Sequence, residues 1–325
     1  MYLALKNRKF QNKKERANAT HWILKRTLKS TAIAVGVLSM LASSVPVQAD
    51  DYETRVVVSG LDHPTGIAVQ GNSTLFITQL PTPGMSGANG GRNRVDMIKI
   101  GNGQITNLTT GEPEPTNLTL DKHGTLYWTC KSAGVILERS RNGKVSLFLG
   151  GLMKPSGISA DRRNNIFFTQ IPTPGVSGMD GGFNTVNVSD GEVTDILTIG
   201  EPEPTDIVVS KDGVAYWTCK SAGVILARGA DGVVSLVSDN LQMPTGIALD
   251  KQGRNLFFTE VPTPGMPGSM GGMNRVSRLN LLTYELSTVN FGDPEPTDIA
   301  VSANGNLYWT CTSAGVIVEA TLNDD

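Results

Sequence analysis

Cysteine and histidine are both scarce in this chain, and their scarcity excludes a good deal of chemistry. Cys130, Cys219 and Cys311 are the only three cysteines in 325 residues. An odd, widely spaced set makes no disulfide framework. Two cysteines bridge only when their Cα atoms come within about 7 Å, and the equivalent repeat positions described below single out no special pair, so no structural disulfide is expected. Beyond residue 49 only His63 and His123 remain. That count rules out a multi-histidine metal site and leaves no good set for a Ser-His-Asp triad. Long apolar runs are missing too. Thr31–Ala42 has twelve residues, and a helix needs about 20 to span a bilayer.

Nine Lys and Arg from Lys6 to Lys29 precede that run, and Val47-Gln48-Ala49 follows it as a small-residue cleavage site. This order reads as an export signal over residues 1–49. It puts residues 50–325 in a secreted or periplasmic compartment, with no membrane anchor once the signal is cleaved. The chain holds 28 basic and 30 acidic residues; the leader takes nine and one of them, leaving 19 against 29, a net of −10. So acidic a remainder disfavours nucleic acid or anionic lipid as a partner.

What the sequence does have is repetition. Leu126-Tyr127-Trp128-Thr129-Cys130-Lys131-Ser132-Ala133-Gly134-Val135-Ile136 returns at Ala215–Ile225 and Leu307–Ile317, with 89 and 92 residues between the cysteines. Each long repeat splits into two halves. The first opens on His63-Pro64-Thr65-Gly66-Ile67, Lys154-Pro155-Ser156-Gly157-Ile158 or Met243-Pro244-Thr245-Gly246-Ile247. The second opens on Glu114-Pro115-Thr116-Asn117-Leu118, Glu203-Pro204-Thr205-Asp206-Ile207 or Glu295-Pro296-Thr297-Asp298-Ile299. Three repeats of two halves give six units of roughly 40 to 50 residues, the length of a four-stranded propeller blade. In the second unit, β-forming runs predict strands over 116–121, 125–130, 135–140 and 144–149, separated by Gly-containing turns. The last unit ends after a third strand, and Arg55–Gly60 resembles a fourth strand standing before the first unit. The expected fold is therefore all-β, one six-bladed β-propeller over 50–325, its last blade closed by the N-terminal strand.

In such a ring the residues just before each innermost strand, those ending the second strand, and the loops after the second strand converge on one mouth of the channel. The second strands end in Cys130, Cys219 and Cys311 in the even blades, and in Gln79, Gln170 and Glu260 in the odd blades. These six are the candidate ligand-binding residues. Glu114, Glu203 and Glu295 precede innermost strands, with Asn117, Asp206 and Asp298 three residues on. They form either rigid strand lead-ins or a carboxylate cluster for a cation or a substrate amine or hydroxyl. The loops Pro81–Gly91, Pro172–Gly182 and Pro262–Gly272, with Met85, Met266 and Met270, are candidate pocket walls. The cysteines read as small buried hydrophobes, with soft-metal binding as the alternative. A catalytic thiol would need a lowered pKa, and Lys131 and Lys220 fall on the opposite side of an extended strand.

The pattern Pro-x-Gly-Ile-Ala-Val, seen at Pro64–Val69 and followed by a Gly-Asn turn and Leu-Phe or Leu-Tyr, resembles NHL-repeat propellers. It also resembles the wider gluconolactonase and senescence-marker-protein superfamily and the virginiamycin B lyase group, over about residues 54–322. In the gluconolactonase-like superfamily a Glu before the innermost strand, with Asn and Asp near the axis, holds a divalent metal. The resemblance implies Glu114, Glu203 or Glu295 with Asn117, Asp206 or Asp298 as ligands for calcium, magnesium, manganese or zinc. Those blades usually end the second strand in Asp, and Cys here is a departure. The expected function is a monomeric, exported binding or scaffold protein that takes a small molecule or metal ion at the channel mouth. The alternative is a divalent-metal-dependent, lactonase-like hydrolase or a lyase.

Overall fold

Runs of Val, Ile, Phe, Tyr and Trp broken by tight turns dictate short antiparallel strands. The computed structural model of the chain describes residues 52–81, 92–172, 183–262 and 273–322, and 24 strands lie among them. The leader expected over 1–49 lies outside the described residues. No helix among the described residues is long and apolar enough to cross a membrane.

Consecutive strands build the first five blades. Blade 1 is β2 (Pro64–Gln70), β3 (Thr74–Gln79), β4 (Arg94–Lys99) and β5 (Gln104–Thr110). Blade 2 is β6 (Pro115–Leu120), β7 (Leu126–Cys130), β8 (Val135–Arg139) and β9 (Val145–Leu149), each within a residue of the sequence expectation. Blade 3 is β10 (Pro155–Ala160), β11 (Ile166–Gln170), β12 (Thr185–Ser189) and β13 (Thr194–Ile199). Blade 4 is β14 (Pro204–Val209), β15 (Ala215–Cys219), β16 (Val224–Arg228) and β17 (Val234–Ser238). Blade 5 is β18 (Pro244–Leu249), β19 (Asn255–Glu260), β20 (Arg275–Asn280) and β21 (Leu286–Phe291). Blade 6 has β22 (Pro296–Val301), β23 (Leu307–Cys311) and β24 (Val316–Leu322), and borrows its outer strand, β1 (Tyr52–Val58), from the other end of the chain. Tyr52 lies opposite Leu322 and Val56 opposite Val318. Arg55 pairs with the buried Glu319 across this seam at 2.5 Å.

The innermost strands touch in cyclic order, β2 to β6, β10, β14, β18, β22 and back to β2. They line the axis and all begin at the same face. Each pairs with its second strand at the starting proline and then slips register, as between Pro64 and Ile67. A buried threonine fills every slip. The Oγ1 of Thr78, Thr129, Thr169, Thr218, Thr259 or Thr310 accepts the amide of the third innermost-strand residue at 2.7–3.2 Å. Several of these hydroxyls also donate to a carbonyl of the next blade, Thr218 to Thr245 O at 2.7 Å and Thr310 to Thr65 O at 2.8 Å. The bulge is thus converted into a stitch between blades.

The hydrophobic core is divided into six clusters, one per blade junction, in two alternating kinds. Junctions 1/2, 3/4 and 5/6 centre on Trp128, Trp217 and Trp309 with their cysteines. Junctions 2/3, 4/5 and 6/1 are filled by Phe168, Phe258 and Ile77 with their aliphatic neighbours. The two-blade sequence period is the period of this alternation. At the axis, glycine is obligatory in the odd blades: a Cβ on Gly66, Gly157 or Gly246 would stand 2.7, 2.4 or 2.6 Å from the Cα of Asn117, Asp206 or Asp298.

Candidate functional site

Six non-glycine residues precede the prolines that open the innermost strands, and all six adopt left-handed backbone. His63, Glu114, Lys154, Glu203, Met243 and Glu295 have φ between 51° and 57°. Residues before proline normally go to extended conformations, and left-handed backbone costs a non-glycine residue on the order of 1–3 kcal/mol. The surroundings hold the strain. Each lead-in carbonyl accepts the N–H of the residue after the second strand, from Lys131 N to Glu114 O at 2.9 Å to Val261 N to Met243 O at 3.2 Å. Strain of this kind concentrates where a side chain must be aimed. The result is a ring at one mouth in which three carboxylates alternate with an imidazole, an ammonium and a thioether.

Behind the ring, polar side chains of the even blades meet near the axis. Asn117 donates from Nδ2 to Asp206 Oδ1 at 2.8 Å. Asp206 accepts from Ile207 N and Ile247 N, and Asp298 from Ile299 N and Ile67 N, at 2.8–2.9 Å. Both carboxyl residues are 5% exposed. Burial holds Asp206 well above the usual carboxylate range, with the Asp298 charge adding to it. Burial likewise pushes Asp298 up, against the pull of its backbone amides. Both shifts favour the protonated carboxyl, because burial penalises the charged form. Asn117, Asp206 and Asp298 therefore form a polar layer beneath the ring.

Three of the expected ligand-binding residues support the rim from below. Gln79 Oε1 accepts Asp62 N at 2.5 Å, Gln170 Oε1 accepts Met153 N at 2.6 Å, and Glu260 Oε1 accepts Gln242 N at 2.7 Å. Each anchored amide is the one just before a left-handed lead-in residue. Further side chains hold the anchors: the buried Asp96 accepts from Gln79 and from Arg94 Nε, and Arg275 grips Glu260 through Nε at 2.5 Å and Nη2 at 2.9 Å. Gln170 Nε2 leans on Thr185 Oγ1 at 3.3 Å.

The other three, Cys130, Cys219 and Cys311, form no disulfide and have no exposed surface. Each sits under a tryptophan and a carboxylate that sequence reasoning passed over. Trp128 Nε1 donates to Glu112 Oε2 at 3.1 Å, Trp217 Nε1 to Glu201 Oε2 at 3.2 Å, and Trp309 Nε1 to Asp293 Oδ2 at 2.7 Å. The Cys130 and Cys219 sulfurs lie 3.8 and 4.0 Å from the same oxygens. Burial and the adjacent carboxylate push the Cys130 and Cys311 thiols up, away from nucleophilic thiolate. The missed acids are the first of each (Glu/Asp)-Pro-Glu-Pro segment. Their signal was present: the acid stands a constant sixteen residues before an invariantly placed Trp. The second acids, Glu114, Glu203 and Glu295, are the half-buried ones on the rim.

The six metal-ligand candidates separate by level, the glutamates on the ring and Asn117, Asp206 and Asp298 on the floor. Among the described residues no group of three or more His, Cys, Asp or Glu is placed to hold a metal ion. The floor oxygens already accept N–H groups, and Asn117 turns a donor toward Asp206, so this donor set does not fit a divalent cation as it stands. Of the expected pocket walls, 82–91, 173–182 and 263–272 lie outside the described residues. On the rim His63 is exposed, its Nδ1 3.2 Å from Asp62 Oδ1, and Arg92 Nη2 stands 3.5 Å from Asp62 Oδ2.

No protein-family model matches the chain, and no curated protein matches it by sequence. Solved structures share its architecture. A gluconolactonase from Xanthomonas campestris matches with a TM-score of 0.65 at 15% identity, over 88% of this chain and 94% of that one. Catalytically inactive virginiamycin B lyase from Staphylococcus aureus, a histidine-to-alanine variant with quinupristin, matches at 0.54 and 18%, over 84% and 89%. A chain of a nidogen/laminin complex matches at 0.56 and 17%, over 69% and 78%. At these identities the likeness establishes the six-bladed fold alone, and these relatives divide between enzymes and a protein–protein complex.

Proposed function

We propose that this is an exported propeller that binds a small molecule at its channel mouth, with Glu114, Glu203 and Glu295 as the recognising groups. One observation carries the reading. Six non-glycine residues are held in strained left-handed backbone around one rim, and three of them present carboxylates at threefold spacing over the polar layer. Carboxylates so arranged suit a ligand rich in hydroxyl or amine donors. Export is supported by the basic, apolar and small-residue order of residues 1–49.

The test is a thermal-shift screen of amines, polyols, lactones and divalent cations on the full chain. A compound that binds only the native state raises the melting temperature. Glu114→Gln/Glu203→Gln/Glu295→Gln should abolish the shifts while leaving the unliganded melting temperature within a few degrees. Shifts that survive the triple variant would remove the acids from the site.

A second reading, a hydrolase or lyase acting on a lactone or similar small molecule, is favoured by His63. It is the one histidine of the rim, and the Asp62 contact at Nδ1 would orient the ring so that Nε2 faces the mouth as a general base. The inactive histidine variant of the lyase described above is consistent with histidine chemistry on this fold. Turnover of a model lactone or cyclic depsipeptide that vanishes in His63→Ala but not in His123→Ala would establish it. Equal turnover in both variants would not be compatible with it.

A further inference from the structure

The three junctions that join one two-blade repeat to the next share a backbone clasp, and only one carries two cations. Gly134 sits at φ 64°, and a Cβ there would meet Leu152 O at 2.2 Å. Leu152 N donates to Gly134 O at 2.8 Å. Gly223 with Leu241 and Gly315 with Leu61 repeat the clasp, each with a 2.3 Å approach and a 2.9 Å bond. The residue three before the glycine and the residue two after the leucine flank it. These are Lys131 and Lys154 at the first junction, Lys220 and Met243 at the second, and Thr312 and His63 at the third.

At the first junction the clasp floors a depression of about 340 Å³, lined by both lysines together with Leu152, Met153 and Pro172. That volume is at the lower end of small-ligand sites. Among the described residues neither lysine ammonium lies within ion-pair distance of a carboxylate; the pairs formed elsewhere are Arg55–Glu319, Arg94–Asp96, Arg275–Glu260 and the Asp62 contacts. Two lysines with no ion pair among the described residues line one hollow in a chain whose net charge is negative. Met153 adds an apolar lip, 54% exposed, on a backbone pinned by Gln170.

We infer that this depression is a binding subsite for a small organic anion, a carboxylate or phosphate that also carries an apolar portion. Lys131 and Lys154 take the charge, and Met153 and Pro172 cover the apolar part. Each lysine donates to an anionic oxygen, and removing methylenes from water beside Met153 adds affinity. The site shares Lys154 with the ring but uses none of its carboxylates.

The experiment is a titration of the full chain with hexanoate, acetate and hexanol at constant ionic strength, followed by backbone amide shifts. Hexanoate should saturate and move the amides of 132–134 and 152–154, binding more tightly than acetate, with hexanol causing no comparable shift. Lys131→Gln/Lys154→Gln should weaken hexanoate at least tenfold. Lys220→Gln, at the equivalent position two blades on, should leave it unchanged. Met153→Ser should narrow the gap between hexanoate and acetate. Non-saturating shifts, hexanol matching hexanoate, or equal losses in the double variant and Lys220→Gln would each overturn the inference. Glu114→Gln/Glu203→Gln/Glu295→Gln keeps both lysines, so hexanoate binding there separates failure of this subsite from failure of the rim.

Discussion

Trp217 donates its indole N–H to Glu201 Oε2 at 3.2 Å, and both side chains are buried against Cys219. The same relationship joins Trp128 to Glu112 and Trp309 to Asp293. It makes the acid a structural member of the blade junction and leaves the next acid, Glu203, to serve the rim. Removing the acceptor strands a buried donor, which costs about 1–3 kcal/mol. Glu201→Ala should therefore lose about that much in urea denaturation, and Trp217→Phe in the same chain should recover part of it. If the two substitutions simply add, the bond is not what the carboxylate contributes.

Glycine at the axis is a second requirement. A Cβ on Gly157 would stand 2.4 Å from Asp206 Cα, a backbone atom that cannot step aside. Gly157→Ala should destabilise by about 1–3 kcal/mol or more, as overpacking does. Gly213→Ala offers the comparison, because a Cβ there meets nothing within 4 Å and only its φ of 82° opposes it. A neutral Gly157→Ala, judged by denaturation midpoint, would mean the innermost strands stand farther apart than described.

The acid pair on the floor ties stability to pH. Burial raises both Asp206 and Asp298, the latter to about 7. A carboxyl raised above its unfolded value binds more protons in the folded chain, so its contribution is present at low pH and fades as pH climbs. The window runs from the unfolded value of about 4 up to about 7. Asp298→Asn cannot ionise, so its stability relative to the parent chain should rise across that window. Parallel pH profiles for the two proteins would contradict the upward shift of Asp298.

Blade 5 has Glu260 where blades 1 and 3 have Gln79 and Gln170, and Arg275 neutralises it. Removing one partner of a buried pair costs about 3–5 kcal/mol. Arg275→Ala should approach that loss, discounted because the guanidinium is partly exposed. Glu260→Gln should be much milder, since the glutamine amide still accepts Gln242 N as its counterparts do at Asp62 and Met153. Melting temperatures of the two variants and their combination give the comparison.

The fold was legible because the repeat is long and the turn chemistry regular. Thr116–Cys130 reads as two strands and a turn on its own, and the borrowed outer strand follows from a last unit that ends at its third strand. The site was legible only in part. Glu112 and Glu114 share one Pro-rich segment, and nothing local says that the first turns inward to an indole while the second takes left-handed backbone at the rim. Gln79, Gln170 and Glu260 end second strands, which the sequence shows, yet the side chains that hold them lie on later strands. The convergence of Asn117, Asp206 and Asp298 depends on the Gly66, Gly157 and Gly246 backbones letting neighbouring blades close in, a spacing that sequence periodicity does not carry.

The most direct test of the account is a crystal structure of the full chain soaked with whichever compound stabilises it most in the thermal screen. The account predicts density at the mouth above Asn117, Asp206 and Asp298, within hydrogen-bond distance of at least two of Glu114, Glu203 and Glu295. Density on the outer strands or at the opposite end of the ring, with the rim empty, would contradict it.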